Sequence, residues 1–355
     1  MPIRGCPCCG EYRSTHWMQV PARSQSGASS YDLLHCPSCS QVWLGDPPTP
    51  EEMSHYYGAE YHRAVGHSGE TSPKRWDSHL RVISKYKVAG SVLDIGCSSG
   101  GFLGYLKSGP WKLHGIEASV PTAERARATT GAEVFVGDVL DAIFPPDSFD
   151  VITCMDVLEH LYEPREVLRN VCKWLKPGGI FYVLVPNIMS WEARIFRSYW
   201  YRLDLPRHLH HFSANSLAGL ATSVGLRQVR MVTPPVCFLE ESTRVLFDDL
   251  ARRAGVRRAP LDLTAKPGIA WRVVRKGLRL SVEALYSMAA SRCGAAACVQ
   301  AVFQKDTTTD SAKDESVGWQ GSATLAKARM SSASQPQSVG EKAPSAAQSG
   351  PDQIK

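Results

Sequence analysis

No run in this 355-residue chain approaches the ~20 consecutive apolar residues that a membrane-spanning helix needs. The opening residues, MPIRGCPCCG, contain no apolar h-region of a secretory signal, so the expected location is the cytoplasm. There is no internal repeat, and the dinucleotide fingerprint G-x-G-x-x-G is not met anywhere that it would matter. Eleven cysteines are too few, in a chain this long, for a disulfide scaffold. Excess charge is scarce too. The net charge is +6, but Arg244 to Arg292 holds eleven Lys/Arg against four Asp/Glu, which is +7 and leaves the remainder at −1. A basic segment is present; a basic protein is not.

What is there is organised. Five of the cysteines lie in the first 39 residues, as CPCCG and CPSCS. Cys6-x-x-Cys9 and Cys36-x-x-Cys39 form two pairs whose four thiolates can close a tetrahedron around Zn²⁺, with Cys8 a spare that could replace Cys9. This predicts a zinc ribbon over 1–46, with YDLLH as a strand leading into the second pair. A Pro-rich connector and the Tyr-rich HYYGAEYH follow, giving a linker or lid over 47–73. From Lys74 to Lys87, Trp76, Leu80, Ile83 and Tyr86 recur at helical spacing.

Strands and helices then alternate. SVLDIG, KLHGIEA, EVFVGD, FDVITCM and GIFYVLVP read as buried strands, separated by helices near Phe102–Lys107, Pro121–Thr130 and Pro164–Leu175. KPGG at 176–179 reads as a helix stop and turn, Ser213 as an N-cap, LRQVRMV as another strand and ACVQAVFQK as the last. The expected fold class is α/β: a doubly wound, mostly parallel seven-stranded sheet covered on both faces, with a small N-terminal zinc ribbon. That domain runs over 74–305 with a basic helical insertion at 240–292. Residues 306–355, rich in Ser, Ala, Gln, Gly and Lys, read as a disordered tail.

The stretch VLDIGCSSGGFL concentrates the chemistry. A turn made of Gly96, Ser98, Gly100 and Gly101 lacks bulky side chains, so a ligand can touch the backbone and meet helix N–H groups at the carboxyl end of a strand. Glu117, 23 residues after Asp94, sits where the second strand should end and can accept hydrogen bonds from both hydroxyls of a ribose. Ser98 stands at the second glycine of the strict fingerprint. Each feature also has a plain structural reading, as a turn and as a solvated strand end.

Order and spacing carry it further. VLDIGCSSGGFL, GIEAS, GDV, FDVITCMDVLEHLYEP and LKPGGIFYVLVPN occur in that sequence, and in this the chain resembles the class I S-adenosylmethionine-dependent methyltransferases from about Lys74 to Lys305. It is most similar to the subgroup of ubiquinone-biosynthesis, small-molecule and sugar O-methyltransferases. The resemblance implies that Asp94, Gly96, Cys97 and Gly100 line the methionine part of S-adenosyl-L-methionine, that Glu117, with Ala118, holds the ribose, that Asp138 and Val139 meet the adenine, and that Met155 and Asp156 line the methyl-donor side. It places the acceptor near RHLHHFS, where His208 or His210 would act as general base for a hydroxyl, with packing or a hydrogen bond to the substrate as the alternative role and His211 read as structural. Asp156, Glu159 and His160 form D-x-x-E-H, which binds a divalent cation in some relatives; here it is read as structural, with Mg²⁺ the less favoured alternative.

The ribbon is expected to be a scaffold or a wall of the substrate site, with Tyr56, Tyr57 and Tyr61 closing over the acceptor or packing the linker. On AWRVVRKGLRLSVEALYSM, Trp271, Val274, Leu278, Val282 and Leu285 share one face and basic residues the other. This suits a helix packed on the domain, or a peripheral contact with an anionic membrane through 267–291. The activity expected is methyl transfer to a small-molecule or saccharide acceptor at a hydroxyl. A nucleic-acid or protein methyltransferase docking through its ribbon, and a non-catalytic binder on the same fold, are the alternatives.

Overall fold

The computed structural model describes residues 5–23, 30–57, 73–254 and 282–307. A compact unit closes at Thr309; the tail expected over 306–355 lies, after Thr307, outside the described residues, as do Tyr61, Trp271, Val274 and Leu278.

The ribbon contributes β1 (Thr15–Pro21), β2 (Ser30–His35) and β3 (Val42–Leu44). Helix α1 (Pro50–Met53) follows, started by proline and by a capping box in which Thr49 and Glu52 satisfy each other's backbone N–H groups. A 3-10 turn, Ser54–Tyr57, ends this part. The larger domain then reads α2 (Pro73–Ile83), β4 (Gly90–Ile95), α3 (Gly101–Leu106), β5 (Trp111–Glu117), α4 (Val120–Thr130), β6 (Glu133–Val136), β7 (Phe149–Met155), α5 (Pro164–Trp174) and β8 (Leu175–Pro186). It continues with α6 (Trp191–Phe196), β9 (His210–His211), α7 (Ala214–Thr222), β10 (Leu226–Val232), α8 (Leu239–Arg253), α9 (Ala284–Arg292) and β11 (Cys298–Lys305).

Seven strands form one sheet in the order β10-β11-β8-β7-β4-β5-β6. The five from β8 to β6 are parallel, and β11 runs antiparallel to both β8 and β10. The parallel strands are continuous apolar runs because helices cover both of their faces. Helix α5 shows why such a helix forms where it does: Pro164 opens it, and Val167, Leu168, Val171 and Trp174 are all buried along one side.

KPGG turns as expected, but inside the bounds of β8: Leu175 already pairs with Phe149, the register shifts before Val151↔Ile180, and between them Gly178 takes φ 72° while a Cβ on Gly179 would stand 2.8 Å from the Lys176 carbonyl, so the chain folds back on itself there. The ribbon is not closed on itself. Its sheet has the order β1-β2-β3-β9, and the fourth strand is His210–His211 of the larger domain, pairing with Trp43 and Val42. Trp43, Cys6, Cys8 and Cys36 are buried in one cluster with Leu158 and Phe212. The basic region is described only at its ends. In α9, Leu285 is 68% exposed while Ser287 and Ala290 are buried, so the face expected to pack on the domain points outward here.

Candidate active site

The parallel strands end on one edge, and the turns that follow them bring together the residues singled out in the sequence. After β4, Gly96 takes φ 71°, Ser98 φ 52° and Gly100 φ 82°. A side chain at Gly96 would stand 2.4 Å from Val157 Cγ2, and one at Gly100 would stand 2.7 Å from Thr130 Cγ2. Glycine is therefore required at both places by backbone conformation and by space. Gly100 then caps α3 with its left-handed conformation. Cys97 is buried and packs over Gly115 of β5, where any Cβ would meet its sulfur at 2.6 Å.

Glu117 ends β5 and spans the gap to that turn. Its Oε2 accepts from the Ser98 N–H at 3.0 Å and its Oε1 from the Ser119 N–H at 2.9 Å. Ala118 lies between those anchors. Asp138, after β6, accepts the Leu140 N–H at 2.8 Å and fixes the bend beside buried Val139. Asp94 is buried at the end of β4, where the Thr153 hydroxyl donates to it at 2.6 Å. Burial pushes its carboxyl up to about 7, against the opposing hydrogen bond from Thr153. A buried carboxylate with one neutral donor is suited to a cationic ligand group such as an ammonium. With a two-point carboxylate clamp and a small-residue turn beside it, these side chains fit S-adenosylmethionine.

Met155 ends β7, and Asp156 directly after it takes φ 55°. Its Oδ1 accepts from Arg202 Nη2 at 2.5 Å, a pairing that the sequence did not disclose. Arg202 also stands 3.6 Å from Glu159 Oε1. Glu159 is fully buried, and neither of its carboxylate oxygens has a hydrogen-bond partner among the described residues. Burial, then the neighbouring Asp156 charge, hold its carboxyl well above the usual carboxylate range. Around this group, Tyr57 pairs with His160 Nδ1 at 3.0 Å, His160 meets the Arg207 carbonyl at 3.1 Å, and His208 Nδ1 donates to the Arg202 carbonyl at 2.9 Å.

His208 and His210 separate here. His208 joins the charged cluster, its Nε2 lying 3.9 Å from Glu159 and 3.8 Å from Asp204. His210 is instead a strand residue of the ribbon sheet, 1% exposed, and burial lowers its pKa to about 4. Its geometry is that of a seam between two layers, not of an open site. Glu159, His160 and His208 offer three ligand atoms within 4.8 Å of one another, but a guanidinium already stands against that carboxyl, which favours the structural reading over a Mg²⁺ site. Tyr57, bound to His160, belongs to the same cluster.

In the ribbon, the Sγ atoms of Cys6, Cys9, Cys36 and Cys39 all lie within 4.8 Å of one another, with Cys6–Cys39 at 3.4 Å and Cys9–Cys36 at 3.5 Å. All four are free thiols. Four sulfurs gathered without a disulfide fit the tetrahedral set that Zn²⁺ takes at ~2.3 Å per ligand. Cys8, the spare, is buried but outside that set.

A methyltransferase-domain family matches residues 57–230. The chain is 32% identical over 172 residues to a ubiquinone biosynthesis O-methyltransferase of Paraburkholderia phymatum, covering 44% of this chain and 72% of the relative. It is 28% identical over 175 residues to the ubiquinone biosynthesis O-methyltransferase of Ralstonia nicotianae, covering 46% and 72%. A crystal structure of a SAM-dependent methyltransferase from Archaeoglobus fulgidus is similar at TM-score 0.47 and 18% identity, over 69% of this chain and all (100%) of that one. No helix among the described residues is long and apolar enough to cross a membrane. By its relatives, its sheet and the residues at the strand ends, the chain belongs to the class I S-adenosylmethionine-dependent methyltransferases.

Proposed function

We propose that the protein methylates a hydroxyl of a small-molecule or saccharide acceptor and carries a structural Zn²⁺ on Cys6, Cys9, Cys36 and Cys39. Asp94, Gly96, Cys97 and Gly100 would hold the amino-acid end of the donor, Glu117 and Ala118 its ribose, and Asp138 and Val139 its adenine. Met155 and Asp156 would flank the transferred carbon. The bound donor supplies a methyl on a positively charged sulfur, so the protein's task is alignment and removal of one proton. Of the two histidines expected as bases, His208 is the one in contact with the polar cluster. Burial lowers its pKa, so the ring is neutral, though a weaker base than a free imidazole.

The observation that carries the small-acceptor reading is the shared sheet. Because His210–His211 is a strand of the ribbon sheet, the ribbon is joined to the larger domain at that point, which supports a role as a wall of the acceptor site over one as a separate docking module. The relatives named for ubiquinone biosynthesis support an oxygen acceptor. Incubation with donor labelled in its methyl group, against small-molecule, RNA and protein fractions of a cell extract, tests this. Label should enter the small-molecule fraction; label confined to RNA or protein would overturn the proposal.

A further inference from the structure

Beside the charged cluster, where the ribbon sheet meets the loop after α6, there is a cavity of about 240 Å³. Its polar walls are Arg23 just after β1, Tyr31 of β2, Tyr56 of the turn after α1, and Tyr201, Asp204 and Arg207 of the loop. Aliphatic side chains fill the spaces between. The Tyr31 and Tyr56 hydroxyls lie 3.4 Å apart. Arg207 Nε donates to Asp204 Oδ2 at 3.0 Å and Nη1 to the Tyr56 carbonyl at 3.3 Å, so one cation of the wall already has its carboxylate.

Arg23 differs. Its guanidinium donates to the Ser198 carbonyl and lies over the Tyr199 ring at 5.3 Å, but no carboxylate among the described residues reaches it within ion-pair distance. The only opposing carboxylate among the described residues that acts on this half-buried cation is Asp249, beyond ion-pair distance and already paired with Arg253 at 2.8 Å and Arg252 at 3.6 Å, so an anionic ligand group would give Arg23 charge-assisted hydrogen bonds of its own. The tyrosines offer flat apolar faces with hydroxyl tips, and Asp204 offers acceptor oxygens. That combination suits a ring bearing several hydroxyls. The volume falls below the ~300 Å³ at which pockets for drug-sized ligands begin, which selects a single ring over a polymer or a fused ring system.

We propose that this cavity is the acceptor subsite and that it takes a phosphorylated monosaccharide unit, its ring against Tyr31, Tyr56 and Tyr201 and its phosphate on Arg23. The inference rests on the methyl-transfer reading above and deepens it. Asp204 links the two places: it lines the cavity, and its carboxylate stands 3.8 Å from His208, whose ring is bonded to the same Arg202 that holds Asp156. The ribbon thus supplies two of the walls, which gives it a part in acceptor choice.

The test is calorimetric titration of the full-length, zinc-loaded protein with glucose 1-phosphate, glucose, inorganic phosphate and 4-hydroxybenzoate, with S-adenosylmethionine titrated in parallel. Glucose 1-phosphate should bind at least tenfold more tightly than each of the other three probes. Arg23→Gln should weaken it at least tenfold while leaving zinc content and donor affinity unchanged. Tyr201→Ala provides a second variant, with the same expected direction. No binding of glucose 1-phosphate, binding no tighter than inorganic phosphate, a preference for 4-hydroxybenzoate, or indifference to Arg23→Gln would each overturn the subsite while leaving the methyltransferase reading standing. Binding of glucose 1-phosphate without any affinity for the donor would instead overturn the acceptor role.

Discussion

Arg202→Met tests the charged cluster that joins the strand ends to the cap. In the wild type, Arg202 Nη2 lies 2.5 Å from Asp156 and 3.6 Å from Glu159, with its guanidinium over the Phe238 ring at 5.3 Å. Methionine keeps much of the volume and removes the charge. Breaking a buried pair from one side costs about 3–5 kcal/mol, because the remaining charge is left desolvated. The Asp156 side chain is 32% exposed and can recover some water, which points to the lower end, about 3 kcal/mol. At ~2–4 °C per kcal/mol, the melting temperature should fall by about 6–12 °C. Adding Asp156→Asn removes the charge that lost its cation, and the double variant should recover about 1–2 kcal/mol. Denaturant unfolding of the zinc-loaded proteins, followed by circular dichroism, measures all three. A loss under about 1 kcal/mol in Arg202→Met, or no recovery in the double variant, would refute the reasoning.

Two further outcomes follow from the same geometry. Removing zinc with a chelator should lower the melting temperature and speed amide exchange in β1–β3 and at His210 and His211, while β4 and β7 stay protected; unchanged exchange at His210 in verified zinc-free protein would contradict the shared sheet. Asp94 is held at about 7 by burial, whereas the unfolded chain ionises this residue near 3.8. Between those values the unfolded state releases a proton that the fold keeps, so the ligand-free protein should lose stability as pH rises from about 4 to about 7, and Asp94→Asn should flatten that slope. Equal slopes in the two proteins would show that the carboxyl is not buried as described.

Much of this site is legible in the residues themselves. The parallel strands announce themselves as apolar runs, and the glycines after β4 and Glu117 at the end of β5 fall at strand ends by simple spacing. What escaped has physical causes. KPGG does turn, yet Leu175 before it already pairs with Phe149, so the strand begins ahead of the turn and not after it, which turn residues alone do not reveal. The ribbon's fourth strand is two residues long and distant in the chain, so no periodicity marks it. Arg202 sits in an ordinary Tyr-Arg-Leu run, and its importance appears only when 3-10 turns fold that run back onto the end of β7. His210 and His208 look alike in RHLHHFS; one faces the ribbon and the other the charged cluster, a distinction set by the strand that forms between them and Trp43.

Central to the account is that the turn after β4 and the carboxylate at the end of β5 together grip one donor molecule. Calorimetric titration of the full-length, zinc-loaded protein with S-adenosylmethionine tests this most directly. The account predicts one site per chain, and a loss of about 10- to 100-fold in affinity for Glu117→Ala, as expected for hydrogen bonds to a charged group worth about 1.5–3 kcal/mol. Absence of binding to the wild type, or equal affinity in the two proteins, would contradict it.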